Sequence, residues 1–295
     1  MFEKLKNNKF AIVMLNYITT EETKEALNSA ISFYPALRIL VVDNGSPGES
    51  FSEMMASYSH PVTSLKLDEN LGFARGMNKG ISCLRKEGFS KIICASSDVL
   101  FVDDQSLFHL SEALDRENAG VAGPAIITPK GRNQSPMLRE RPLPGEAVKM
   151  VRYYSRARIY SRYILNRFVL SPLKKKFRKP KGVEEANTSY RSAGGNLATE
   201  RVYVLNGALF ALGPAFFENY EGLDPHTFLY GEELILGEMS YRVGLDSLYV
   251  PSSVVYHKED RTSSKVWGSE DRVKPGMIAA ESIKHWYFCH YLDSR

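Results

Sequence analysis

The chain of 295 residues is poor in cysteine, with three (Cys83, Cys94, Cys289) and no Cys-x-x-Cys pair. Three cysteines make no even disulfide framework, which leads us to expect a reducing, cytoplasmic setting. No run approaches the ~20 apolar residues that a membrane-spanning helix needs. The opening residues, Met1 to Lys9, carry charge with no long apolar core behind it, so no secretory signal is expected. Both Gly-rich phosphate signatures are missing, the Walker type and the Gly-x-Gly-x-x-Gly type. Their absence argues against a P-loop ATPase and against a dinucleotide cofactor.

Acidic residues are missing from one long segment. From Ala147 to Val183 there are twelve Lys or Arg side chains and no Asp or Glu, which leaves 26 basic against 34 acidic groups elsewhere, a balance of −8. The net charge of +4 therefore resides in a single stretch. Tyr153, Tyr154, Tyr160, Tyr163 and Phe168 are interleaved with its cations. Such mixtures suit an anionic lipid surface, at ~1 kcal/mol per basic residue. A solvated insertion and a single-stranded nucleic-acid contact are the other readings. Membrane association through residues 147–181 is the expectation, with no nucleic-acid partner.

What is present is a regular α/β pattern. Phe10–Leu15 is a continuous apolar run, as expected of a strand buried on both faces, and β-rich stretches at Leu37–Val42, Val62–Leu67, Lys91–Ala95 and Val121–Ile127 read as further strands. Helix-like stretches separate them. Thr19 with Glu22 has capping-box spacing for a helix to about Ser32, and further helices are expected at 72–86 and 104–115. This alternation implies a mainly parallel sheet whose ligands bind beyond the carboxyl ends of the strands, where Asn16, Asp43 and Asp98 fall. The pattern lapses over 138–199, read as an insertion. It returns with a strand at 208–212, a helix at 232–243 and strands at 248–250 and 254–256. Residues 263–295 read as a C-terminal tail of the same single domain, 1–295.

Four segments could carry chemistry. Asp43, in Val41-Val42-Asp43-Asn44-Gly45-Ser46, would bind a base or ribose, or merely build an Asx-turn. Gly72, Gly76 and Gly80 recur every four residues on one helix face, at a cost of roughly 1 kcal/mol each relative to alanine. Either the helix packs tightly on the sheet, or a nucleotide lies on it with Arg75 and Lys79 near its phosphates. Asp98 would hold Mg²⁺ or Mn²⁺, or close a strand-terminal turn. Glu232 and Glu233 suit a helix start as dipole partners, and a catalytic base would want the same place. His257 alone reads as structural.

Taken in order, Leu15-Asn16-Tyr17, Val41–Ser46, Asn70–Gly80, Asp98, Gly207-Ala208-Leu209-Phe210, Gly222–Glu233, Arg242, Pro251 and His257 resemble inverting family-two glycosyltransferases, especially the bacterial rhamnosyltransferase-like branch. The resemblance covers roughly 8–127 and 200–262 and implies a GT-A (Rossmann-like) fold. It implies a UDP- or dTDP-sugar donor held by Asn16, Asp43, Asn70, Gly72, Arg75, Asn78 and Gly207. It also implies a divalent metal (Mg²⁺ or Mn²⁺) on Asp98 and His257, and Glu233 as general base with Glu232 as its substitute. The implied acceptor is a glycan or lipid-diphosphate-linked sugar of a bacterial surface polysaccharide, reached at the inner face of the cell membrane. Ser96-Ser97 departs from the family pattern ahead of the metal acid, which keeps a non-catalytic, membrane-docked binding domain as the rival. A sugar-phosphate nucleotidyltransferase is a further one, although Asn16–Thr19 lacks the loop it would need.

Overall fold

The structure, a computed structural model, describes residues 10–156, 158–159, 198–258 and 273–293. One sheet is built from β1 (Phe10–Asn16), β2 (Arg38–Asp43), β3 (Val62–Lys66), β4 (Lys91–Ser96), β5 (Val99–Phe101), β6 (Ala119–Ile127), β7 (Glu200–Val202), β8 (Leu209–Leu212) and β9 (Asp246–His257). Its order is β3-β2-β1-β4-β8-β6-β9-β5, with β7 also paired to β9. β1 to β4 are mutually parallel, as are β6 and β9, whereas β8 opposes β4 and β6, and β5 opposes β9.

Helices cover the faces: α1 (Thr20–Phe33), α2 (Ser50–Met55), α3 (Phe73–Lys86), α4 (Ser106–Ala113), α5 (Pro144–Tyr153), α6 (Pro214–Asn219), α7 (Glu232–Arg242) and α8 (Val273–His285), which runs on into a π-helical turn at Trp286–Tyr291. Among the described residues no helix is long and apolar enough to cross a membrane.

The unbroken apolar character of β1 follows from its two covered faces. Phe10, Ile12 and Met14 join Ala26, Leu27 and Ala30 of α1 in one core. Ala11 and Val13 join Ala74, Met77, Ile81 and Leu84 of α3 in the other. Alternate side chains point to opposite faces of a strand, so both sets must be apolar. The glycine stripe of α3 resolves as packing. A Cβ on Gly80 would stand 2.4 Å from Val13 Cγ1, and one on Gly76 would stand 3.0 Å from the Asn44 side chain. Close approach of helix to sheet is what offsets the helix-propensity cost.

Parallel register brings the strand ends level, with Asn16 opposite Asp43 and Leu15 opposite Ser96. At the next edge Val99 pairs with His257. The sheet therefore carries Asp43, Asp98 and His257 to one margin from three distant parts of the sequence.

Three expectations change. Thr19 is the N-cap of α1, yet its side chain makes no cap bond. Its hydroxyl bonds Asn16 Oδ1 at 3.2 Å and Ser97 Oγ at 2.8 Å instead, because strand-end polar groups are nearer than the helix amides. The stretch 246–257 is one strand, with a register shift opposite Pro124/Ala125, and not two. The expected C-terminal tail includes α8 and the π-helical turn, where Trp286 and Tyr291 are fully buried in the α3-side core.

Of the basic segment, α5 starts with Pro144 at its first turn, and Glu146 accepts from the Leu143 amide. Ile159 is buried against Gly276 of α8, and Arg156 pairs with Glu281. The rest of that segment, and with it most of the membrane-association expectation for 147–181, lies outside the described residues.

Candidate active site

A cavity of about 340 Å³ opens at the margin described above. Asn44, Asn70, Gly72, Asp98, Gly207, Glu232, Glu233 and His257 line it together, with Tyr17, Phe228 and Tyr230 as aromatic walls. Its size fits a small-molecule site.

Asp98 and His257 are 159 positions apart in sequence, and the β5–β9 pairing brings them together. His257 Nε2 lies 3.3 Å from Asp98 Oδ2, and His257 Nδ1 lies 2.8 Å from Gln134 Oε1. When Nδ1–H donates to Gln134, Nε2 turns its lone pair toward the carboxylate. Two acceptors then face each other across a gap suited to a shared cation. Gln134 was not singled out in the sequence; a lone glutamine in a loop belongs to no spacing pattern.

Glu232 and Glu233 open α7. Gly231 precedes them in the left-handed region at φ 82°, which reverses the chain into the helix. Both residues are half-buried along the cavity, and Glu232 Oε1 is screened from solvent without a hydrogen-bond partner. Burial, and then the charge of Glu233, push the Glu232 carboxyl up to about 8. Burial also raises Glu233, opposed by backbone N–H groups of Glu233, Gly207 and Gly231 that favour its charged form. Both carboxyls are therefore held above the ordinary range, with more backbone N–H groups favouring the charged form at Glu233 than at Glu232. Gly207 has to lack a side chain, since a Cβ there would lie 2.6 Å from Glu233 Oε1.

The lone proton of Glu232 makes a stability prediction. Between the ordinary 4.5 and about 8 the folded chain retains a proton that the unfolded chain has released. This carboxyl therefore contributes a fall in stability as pH rises through that window, of no more than about 1.4 kcal/mol per pH unit, to which the raised Glu233 adds in the same direction. Glu232→Gln is expected to flatten the fall, read as the urea midpoint at pH 5.5 and 8.5. Equal pH slopes in the two proteins would exclude Glu232 as its source.

Of the other expected site residues, Asn16 and Asp43 sit behind the cavity wall. Asn16 is buried and donates to Asp43 Oδ1 at 2.7 Å, while Thr23 donates to Asn16 Oδ1 at 2.8 Å. Asp43 Oδ1 also accepts from Ser46, whereas Asp43 Oδ2 is buried with no partner. Asn70 Oδ1 accepts from Asn44 and from the Gly72 amide, which shapes the turn into α3. Asn78 does not line the cavity. Its amide clamps both backbone groups of Leu223 at 2.8 Å, steadying the following loop. Arg75 is exposed, does not line the cavity either, and donates to Leu71 O. Asn44 does line the cavity and was overlooked as a site residue, although it stands beside Asp43 in the same motif.

A cleft at the carboxyl ends of parallel strands is where open α/β sheets bind their ligands, and here it holds an acid–imidazole pair and two glutamates. Residues 11–173 match the model of "Glycosyl transferase family 2", and the chain belongs to that family. No curated protein is significantly similar to it in sequence. Among solved structures, GalNAc-T7 with UDP, GalNAc and Mn²⁺ is similar at TM-score 0.55 and 16% identity, over 84% of this chain and 43% of that one. The chain thus spans less than half of that protein. Mannosyltransferase PcManGT from Pyrobaculum calidifontis, in complex with GDP-Man and Mn²⁺, is similar at TM-score 0.51 and 11% identity, over 97% of this chain and 76% of that one. Both likenesses concern the fold, which is GT-A.

Proposed function

We propose that the chain transfers one sugar from a nucleoside diphosphate donor to an acceptor hydroxyl, with inversion at the anomeric carbon. The observation that carries this reading is the single cavity shared by the Asp98–His257 pair and the Glu232–Glu233 pair. The resemblance carried by Val41–Ser46 supports a UDP- or dTDP-sugar, dTDP-rhamnose included, and Asn44 of that motif lines the cavity beside the buried Asp43. Gly72 and Phe73 at the start of α3 border the same cavity, so the positive end of a helix dipole favours the diphosphate there.

One carboxylate and one imidazole with unfilled positions suit Mg²⁺ or Mn²⁺ shared with phosphate oxygens. Both structural neighbours carry Mn²⁺. When bound between Asp98 and His257, such an ion supplies positive charge for the departing diphosphate. Glu233 takes the proton of the acceptor hydroxyl, and Glu232, which keeps its own proton below about pH 8, leaves Glu233 as the pair's base. Phe228 and Tyr230 offer apolar faces against which a sugar ring stacks.

The acceptor is assigned as a glycan or lipid-diphosphate-linked sugar of a bacterial surface polysaccharide, with the polycationic 147–181 stretch drawing the protein to anionic membrane. Ser96-Ser97 ahead of Asp98 motivates the rival reading, a non-catalytic binding domain. A thermal-shift and turnover screen over nucleotide sugars decides between them. One donor with Mn²⁺ is expected to raise Tm by several degrees at ~100 times its Kd, and EDTA to abolish both the shift and donor turnover. A shift without hydrolysis or transfer under any acceptor tried would favour the rival. No shift with any nucleotide would overturn both.

A further inference from the structure

Outside the cavity, three histidines converge on one carboxylate. Asp224 Oδ1 lies 2.9 Å from His226 Nδ1, and Asp224 Oδ2 lies 3.4 Å from His285 Nε2 and 2.8 Å from His290 Nε2. One ligating atom from each of Asp224, His226 and His285 falls within 4.8 Å of the others. We propose that Asp224, His226 and His285 form a second metal site, for a zinc-class transition ion, distinct from the Asp98–His257 pair.

Geometry and donor chemistry carry this. Four-coordinate zinc, with ligands ~2.0–2.1 Å away, sets its ligating atoms roughly 3.3 Å apart. The Asp224 carboxylate offers Oδ1 to His226 at 2.9 Å and Oδ2 to His285 at 3.4 Å, so small shifts bring either oxygen and both imidazoles around one ion. Two imidazoles with one carboxylate select zinc, copper or nickel over Mg²⁺ or Ca²⁺, which prefer oxygen. The rings of His226 and His285 lie 5.3 Å apart and tilted by 31°, so their nitrogens converge without the rings clashing. His290 donates to Asp224 Oδ2 and orients the carboxylate, as outer partners of metal-bound carboxylates do. The His226 side chain is 69% exposed, while those of Asp224, His285 and His290 are 10–20% exposed. The nest is therefore buried on one side and open on the other, with an entry path and a fourth position for water.

The location gives the ion a task. Asp224 and His226 belong to the loop between Gly222 and Gly231 that supplies Leu223, Phe228, Leu229 and Tyr230 to the cavity wall. His285 ends α8, and His290 lies in the π-helical turn. An ion bridging them staples the C-terminal helix to that wall.

The test is a Co²⁺ and Zn²⁺ titration of chelator-stripped Asp98→Asn protein, in which the cavity pair is disarmed. One equivalent of Co²⁺ is expected to bind with the intense visible absorption of a four-coordinate site, and Zn²⁺ to displace it and raise Tm. Adding His226→Ala, a change at an exposed side chain that leaves folding intact by circular dichroism, should weaken binding by roughly 100-fold or more. His285→Ala should do the same. Failure of Asp98→Asn protein to bind either ion, or unchanged affinity in the His226→Ala form, overturns the proposal. Neither result bears on sugar transfer, which is read separately from nucleotide-sugar turnover.

Discussion

Glu233→Gln is expected to lower kcat for sugar transfer by about 10²–10⁴-fold while the donor still binds, as measured by nucleotide thermal shift and steady-state turnover. Glutamine keeps the length of the side chain and an acceptor oxygen for the surrounding backbone N–H groups, but it has no basicity. The fold and the donor pocket should therefore survive. Glu232→Gln is the control: this neighbour carries its proton up to about pH 8, so its amide mimics the state it already occupies. A loss in Glu232→Gln larger than in Glu233→Gln would exchange the two roles. Turnover close to that of the parent protein in Glu233→Gln would remove it as the base.

The largest stability effect is expected at Arg141→Ala. Glu238 is fully buried on α7, and its two oxygens take a bidentate pair of bonds from Arg141 at 2.8–3.1 Å, with Tyr203 donating to the same carboxylate. The guanidinium also lies over the Tyr241 and Tyr291 rings, 4.7 and 4.0 Å from their centroids, and donates to Tyr291 O. Removing the arginine leaves a buried carboxylate with its main counter-charge gone, which costs about 3–5 kcal/mol, or roughly 10 °C in Tm. Replacing both partners, Arg141→Leu with Glu238→Leu, should recover much of the loss, because no charge is then stranded. A single variant that melts within a degree or two of the parent protein would show that water or another cation already screens Glu238.

The two halves of this molecule differ in how readily they could be read from sequence. β1, β2, β4 and β6 announce themselves because strands covered on both faces need apolar side chains along their middles, leaving polar ones to the ends. The order of the motifs carried the family resemblance, and Asp98, His257, Gly207, Glu232 and Glu233 do share one cavity. Contacts made across long sequence separations were not legible. Asn78 looks like a ligand-facing residue of α3 until Leu223, 145 positions on, is seen to occupy its amide. Arg141 and Glu238 are 97 positions apart, and each alone reads as an ordinary surface charge. β5 has three residues, too few for a period to show. The aromatic cluster at Trp286–Tyr291 was the available hint that the C-terminal segment is packed, since exposed large aromatics are costly.

The loop that ends at Gly231 is moored at several points. Phe73 N–H bonds Phe228 O at 2.8 Å, and a Cβ on Gly72 would stand 2.2 Å from that same oxygen, so two backbones touch there. Asn78 grips Leu223, and Ser282 Oγ donates to Leu229 O from the far side. A wall moored at three places does not swing like a lid. Acceptors would then be sorted by whether they fit a preset shape, and any breathing room for a larger one has to come from other parts of the lining, such as Leu205 and Asn206.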